Sequence, residues 1–199
     1  MLDISLTTFV DFVIKTGTPR LTAIKRAKKQ YIEGYSPATD YWRALREAIV
    51  ELHIKNSKKA SLDRVLKKVS MSKAGNYSKC IEAYKRWLGN KRIKWIGCTT
   101  SVWSEESLSV RVNPELGLKI DDTKYFVKLY FKAGKPSKQK IDTILYLIQT
   151  KLPERYKYVT PAVLDVQRSK LFCPTREITG IDALLAGEAS AFVTMWDKV

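Results

Sequence analysis

Residues 85–95 read KRWLGNKRIKW, and within this stretch the spacing of apolar residues changes from helical to strand-like. Before it, apolar residues recur every three or four positions, whereas after Ile93 the period changes toward two. The Gly89-Asn90 pair between the two patterns is typical of a turn. We therefore expect an α+β fold, with a helical N-terminal half followed by a small, mostly antiparallel sheet covered by helices. The expected units are a basic helical subdomain at 1–90 and an α+β subdomain at 91–199, or one compact unit.

Several stretches on the N-terminal side combine helical spacing with a start signal. The signal is a side chain that can cap a helix, in two cases followed by proline at the first helical position. The expected starts are Ser5, Thr18-Pro19, Ser36-Pro37 and Ser61, and a break at 70–75 is expected to lead into a further helix that includes Leu88.

On the C-terminal side the pattern predicts four strands and two helices. The expected strands are Lys91–Ser104, Leu108–Val112, Lys124–Lys132 and Ala162–Phe172, and the helices begin at Ser137 and Ile181. In the third strand Phe126 and Tyr130 alternate with lysines, which is typical of sheets that stack unpaired bases. A helix packed over that face would explain the same residues.

Basic residues are concentrated in the N-terminal half. Residues 1–95 contain 21 Lys and Arg against 8 Asp and Glu, whereas 96–199 contain 15 against 12. The formal net charge of the chain is +16, of which +13 belongs to 1–95. Such an asymmetry indicates a polyanionic partner, either a nucleic acid or an anionic membrane surface. We expect a nucleic acid, DNA or RNA, bound through its phosphates.

The candidate contacts lie in three basic groups, each backed by an apolar face that explains the fold without a ligand. They are Lys25, Arg26 and Lys29 in the first group; Lys58, Lys59, Arg64, Lys67 and Lys68 in the second; and Lys85, Arg86, Lys91, Arg92 and Lys94 in the third, with Lys79 on the helix before it. Trp87 and Trp95 in the third group either contact unpaired bases or anchor the core. Whether the groups converge on one surface is left open by the sequence.

Residues 62–81, LDRVLKKVSMSKAGNYSKCI, place two apolar-faced segments on either side of a short break. This segment resembles the helix-turn-helix of bacterial repressors, most visibly in VSMSKA at 69–74. The resemblance implies that Asn76, Ser78, Lys79 and Arg86 contact bases or phosphates. The alternative is a plain helical hairpin with solvated lysines.

The scarcity of histidine and cysteine excludes several chemistries. His53 is the one histidine, and Cys80, Cys98 and Cys173 include no paired ligand spacing, so neither a zinc finger nor a disulfide framework is expected. We expect His53 to be structural. No phosphate-binding loop motif occurs, and no cofactor is predicted.

A metal-dependent nuclease, or an inactive relative of one, is the enzymatic alternative. The candidate residues are Glu115, Asp121, Asp122 and Asp165, which could hold Mg²⁺ at strand ends, and Lys128. The arrangement resembles the restriction-nuclease core, in which an acidic residue is followed by acid-x-Lys, but Phe126 stands two residues before Lys128. Turn formation is the competing explanation for the aspartates.

A third hypothesis is an interaction module, in which the cations bind an acidic protein and the near-neutral half forms a homodimer. The apolar residues at 9–14 are interrupted by Asp11, and no basic segment precedes them. We therefore expect neither a signal peptide nor a membrane span, and a cytoplasmic protein.

Overall fold

The computed structural model describes residues 1–34, 40–176 and 178–199. Its helices are α1 (Leu6–Val13), α2 (Gly17–Ile32), α3 (Arg43–Ile54), α4 (Met71–Leu88), α5 (Lys138–Thr150) and α6 (Ile181–Lys198), with 3₁₀ segments at Lys59–Lys68 and Glu154–Tyr156. Its strands are β1 (Leu2–Ser5), β2 (Ile93–Trp95), β3 (Ser101–Glu105), β4 (Leu108–Val112), β5 (Leu116–Ile120), β6 (Thr123–Tyr130), β7 (Thr160–Asp165) and β8 (Lys170–Phe172). The α+β class is confirmed.

The strands form two mixed sheets where the sequence predicted one. The smaller sheet has the order β1-β4-β3 and the larger one β2-β5-β6-β7-β8. The pairs β1–β4 and β6–β7 are parallel, and the other pairs are antiparallel. The predicted strand at 91–104 is divided between the sheets, and the predicted strand at 162–172 is a hairpin that turns at Ser169, whose φ is 53°.

Two helix starts depend on serine caps, as expected. The Ser5 hydroxyl accepts a hydrogen bond of 3.1 Å from the Thr8 N–H, and the Ser137 hydroxyl one of 3.1 Å from the Lys140 N–H. Each bond satisfies an N–H group that has no partner within its own helix. The predicted start at Ser36-Pro37 lies outside the described residues.

The two helical segments expected at 62–81 are present, but the first is a 3₁₀ helix and the break between them is limited to residues 69 and 70. The first element is the 3₁₀ segment, where Leu62 and Val65 are buried at the three-residue spacing that this helix type places on one side. The second element, α4, already begins at Met71, because Ser70 accepts the Ala74 N–H at 3.1 Å and the helical bonds continue through Gly75. Of the break expected at 70–75, residues 71–75 therefore belong to α4, and Ser70 is its N-cap.

The larger sheet separates two apolar clusters. Phe126 of β6 packs with α1, α5 and α6 on one side, and Val127 packs with α3, the 3₁₀ segment and α4 on the other. Phe126 is fully buried, so this face of β6 is not open to stacking bases. The alternative, in which helices cover the face, is correct. Each cluster combines residues from before and after position 90. The division of the chain into subdomains at 1–90 and 91–199 stays a prediction. Among the described residues, no helix is sufficiently long and apolar to span a membrane.

Candidate nucleic-acid interface

The second and third basic groups lie next to each other. The 3₁₀ segment precedes α4 in the chain and packs beside it. Lys59 donates to the carbonyl of Gly89, the C-cap of α4, and Lys85 Nζ lies 2.7 Å from Asp63 Oδ1. We call the exposed cations of 58–94, on these two elements and in the chain directly before and after them, the basic surface. Its members from the sequence prediction are Lys58, Lys59, Arg64, Lys67, Lys68, Lys79, Arg86, Lys91, Arg92 and Lys94.

Carboxylates neutralise little of the basic surface. Residues 58–94 contain 12 Lys and Arg but only two acidic residues, Asp63 and Glu82. Both of them contact the same cation, Lys85, at 2.7 and 2.9 Å. Arg92 approaches Asp121 at 3.8 Å, but both side chains are largely exposed, so solvent screens this pair. In the described part of the chain, none of the remaining cations of the basic surface has an ion pair: Lys58, Lys59, Arg64, Lys67, Lys68, Lys79, Arg86, Lys91 and Lys94.

The first basic group does not join this surface. Lys25, Arg26 and Lys29 lie on α2, whose Ile24 belongs to the apolar cluster on the other side of the larger sheet. Lys28 of the same helix donates to the carbonyls of Trp196 and Val199, at 2.8 and 2.7 Å, which holds α2 against α6. The sheet therefore separates the α2 group from the basic surface.

A shallow depression of about 420 Å³ lies between α4 and the turn after β7. It is lined by Ser78, Lys79, Glu82, Arg86 and Gln167. The turn is held on α4 by the Ser169 hydroxyl, which donates to the carbonyl of Ala83 at 2.7 Å. Gln167 was not predicted, and no sequence signal brings it to a helix that lies more than 80 residues earlier.

The residues that the helix-turn-helix resemblance names as contacts differ in whether their side chains are free to meet a ligand. Lys79 and Arg86 are exposed on α4, but the Asn76 amide donates to the Tyr41 hydroxyl at 3.0 Å. Trp87 is buried, which confirms the core interpretation for it, and Trp95 is half-buried against the same cluster. Trp87 and Trp95 therefore belong to the apolar packing beneath the basic surface and not to its exposed side.

Two candidate nuclease residues meet in a buried ion pair. Lys128 Nζ lies 2.6 Å from Glu115 Oε1 and also donates to the carbonyl of Asn113 at 2.9 Å. The other oxygen of Glu115 accepts the Leu129 N–H at 2.8 Å. Both oxygens of this carboxylate are therefore engaged in holding β5 against β6.

The remaining nuclease candidates lie elsewhere. Asp165 is fully buried and pairs with Arg168 at 3.0 Å, while Asp121 and Asp122 form the exposed β5–β6 turn, with φ of Asp121 at 52°. Six residues of extended chain separate Asp121 from Glu115, about 20 Å. Within the described ranges, no three acidic, histidine or cysteine side chains are grouped so that they could hold a metal. The four acidic candidates are therefore not brought together.

His53 is placed as a structural residue. Its ring nitrogen Nε2 lies 2.6 Å from the hydroxyl of Tyr84, which is fully buried on the inner face of α4. Burial lowers the pKa of His53 from 6.5 to about 4. The cysteines are free thiols, and burial raises the pKa of Cys80 to about 11, which makes it a poor nucleophile near neutral pH.

The chain matches no protein-family model, no curated protein and no solved structure.

Proposed function

We propose that this chain binds nucleic acid by placing phosphates on the basic surface. The observation that carries the proposal is the use of both local carboxylates, Asp63 and Glu82, on the single cation Lys85. In the part of the chain that the structure describes, the other cations of the 3₁₀ segment and of α4 have no ion pair. A surface with dense, unneutralised Lys and Arg concentrates polyanions and releases their counterions on binding.

The proposal extends to the setting of the protein. Free thiols at Cys80, Cys98 and Cys173 support a reducing compartment, and we propose the cytoplasm. The polymer is DNA or RNA, bound through its phosphates. A homodimer remains a prediction that sedimentation measurements would test.

The test is fluorescence anisotropy with labelled duplex DNA, single-stranded DNA and RNA at about 0.05 and 0.2 M salt, a window in which phosphate-dependent affinity falls steeply. We expect binding to at least one polymer at the lower salt and a large loss at the higher salt. Absence of binding to all three polymers at the lower salt would overturn the proposal.

A pair of matched variants locates the contact. Lys79→Glu with Arg86→Glu reverses two cations of the basic surface, and Lys25→Glu with Arg26→Glu makes the same change in charge on α2. We expect the first variant to lose affinity by about tenfold or more, since phosphate-contacting cations are removed and replaced by repulsion. We expect the second to lose much less. Equal losses would mean that net charge alone attracts the polymer.

The interaction-module hypothesis predicts a different competitor. Poly-glutamate should displace labelled nucleic acid weakly if the basic surface fits phosphates, and as well as unlabelled nucleic acid does if it fits acidic polypeptides. The second result would indicate that the basic surface binds an acidic protein and not a nucleic acid.

A further inference from the structure

We infer that the basic surface receives the sugar–phosphate backbone of a double-stranded nucleic acid rather than the bases of a single strand. This inference rests on the proposed function and specifies its ligand. Proteins that bind single strands without sequence preference combine a basic groove with aromatic side chains on which bases stack. The decisive question is therefore whether the basic surface offers a free aromatic face.

The aromatic residues of this region are used in the core. Tyr77 and Tyr84 are 1% and 0% exposed, and Trp87 is 4% exposed. Trp87 has Tyr84 at 5.4 Å between ring centroids and the ammonium of Lys91 at 5.4 Å from its ring centroid. A base would have to displace these groups before it could stack there.

The aromatic pair nearest the start of α4 is also engaged. Trp42 stacks against Tyr77 with ring centroids 5.3 Å apart and against Phe131 at the same distance, both with an interplanar angle of 17°. Tyr41 has the ammonium of Lys73 at 5.1 Å from its ring centroid, and its hydroxyl accepts from Asn76. Trp95 and Tyr125 are half-buried, and both pack against the core on this side of the sheet. Within the described residues, the basic surface therefore offers its cations without a fully exposed aromatic ring beside them.

The spacing of the cations on α4 suits a duplex. Lys79 and Arg86 are seven residues apart, which is about 10.5 Å along a helix axis. This separation is close to the roughly 12 Å width of the major groove of B-form DNA. The two side chains can therefore each meet a phosphate on opposite strands. The 3₁₀ segment adds further cations beside them, in a position to follow one backbone.

The depression between α4 and the turn after β7 favours backbone contact. Besides the two cations Lys79 and Arg86, Ser78 and Gln167 line it. The Gln167 amide donates to the carbonyl of Phe131 at 2.7 Å, which fixes this side chain at the edge of the depression. Its acidic member, Glu82, is held by Lys85 at 2.9 Å. A convex phosphate backbone fits such a basic hollow without any base leaving its stack.

The experiment compares a duplex of about 20 base pairs, which at ~3.4 Å per pair is longer than α4, with each of its own strands. The strands are chosen without internal pairing, and both a DNA and an RNA version are titrated at about 0.1 M salt, where the Debye length is ~10 Å. We expect at least one duplex to bind about tenfold more tightly than either of its strands, with the Lys79→Glu and Arg86→Glu double variant removing most of that difference.

Strands that bind as tightly as their duplexes would overturn the inference and leave the proposed function standing. Failure of every duplex and every strand to bind would overturn the proposed function as well. The two failures are therefore distinguishable in one titration series.

Discussion

The basic surface and the interior of the larger sheet both contain many charged residues, but they use them in opposite ways. In and beside the sheet, each buried charge has a partner: Glu115 holds Lys128, Asp165 holds Arg168, and Asp11 binds both Lys132 and Lys140 at 2.8 and 2.6 Å. On the basic surface most cations are exposed, and within the described ranges they form no ion pair. The comparison separates charges that hold the fold from charges that remain available to a ligand.

The electrostatics of Asp11 illustrate the structural use. Burial alone would raise the pKa of its carboxyl, but the ammonium groups of Lys140 and Lys132 outweigh burial and lower it. The carboxylate thereby joins α1 to α5 and to the chain after β6. The nuclease alternative requires acidic residues that are free to bind Mg²⁺, whereas two of its candidates, Glu115 and Asp165, are held in this structural way.

The largest expected effect comes from breaking a buried pair. Lys128→Ala leaves the Glu115 carboxylate buried without its cation, and we expect the free energy of unfolding to fall by about 3–5 kcal/mol. Urea denaturation measures the loss. The matched control is Lys79→Ala on the basic surface, where we expect a change within about 0.5 kcal/mol because the side chain is exposed and has no ion pair. Similar losses for both variants would erase the distinction between the two regions.

The next prediction contrasts two glycines. A Cβ added to Gly117 of β5 would lie 1.5 Å from the carbonyl oxygen of Gly97, which is backbone and cannot turn away. We expect Gly117→Ala to cost about 3 kcal/mol or more, as overpacking in a tight interior does. A Cβ added to Gly75, on the exposed side of α4, meets nothing within 4 Å.

Gly75→Ala should therefore stabilise the protein, by about 0.5–1 kcal/mol, because alanine is the better helix former. Thermal and urea denaturation of the two variants give the comparison. A neutral Gly117→Ala would contradict the close backbone approach on which the position of β5 depends.

A pH titration tests the core behind the basic surface. Unfolded His53 gains a proton near pH 6.5, whereas burial holds its folded pKa at about 4, so between these values the unfolded state binds more protons. The free energy of unfolding is therefore not reduced by His53 above pH 6.5. As the pH falls from 6.5 toward 4, protonation of His53 in the unfolded state lowers the free energy of unfolding by up to about 3 kcal/mol. In His53→Gln, which can still hydrogen-bond to Tyr84, urea midpoints should fall less over this interval. An identical decline in both proteins would place the pH dependence elsewhere.

The smallest predicted effects are in the salt dependence of binding. Each phosphate contact contributes about 0.9 to the slope of log affinity against log salt for duplex DNA. We expect Lys67→Gln, Lys79→Gln and Arg86→Gln each to reduce the slope by up to about that amount. Lys25→Gln on α2 should leave the slope unchanged. An equal decrease in slope for Lys25→Gln would show that α2 and the basic surface both contact phosphates.

Local signals in the sequence predicted the elements that depend on neighbouring residues. Ser5 and Ser137 cap helices because their hydroxyls reach N–H groups three residues away. Strand β4 was predicted with its observed bounds because its alternation is complete within five residues. The start of α4 was missed because Gly75 and the serines around it look like a break, although nothing in the fold requires one there.

Elements that depend on distant partners were not predictable. Strand β1 exists because Leu2 to Ser5 pair with Leu108 to Arg111, more than 100 residues away. Strand β5 contains Gly117, which weakens its pattern, yet that glycine is what allows the loop at Gly97 to cross it. For the candidate site, the cations were predicted but Gln167 was not, since only the fold brings the turn after β7 onto α4.

By itself the sequence determined the α+β class, two helix caps and the concentration of positive charge before residue 96, because composition and local hydrogen bonding do not require knowledge of the fold. Only the tertiary structure decided which cations share a surface. It joined the groups at 58–68 and 85–94 and placed the group at 25–29 beyond the sheet. It also buried Trp87 and paired Glu115 with Lys128. These outcomes arise from long-range packing, in which apolar faces determine the positions that charged side chains then occupy.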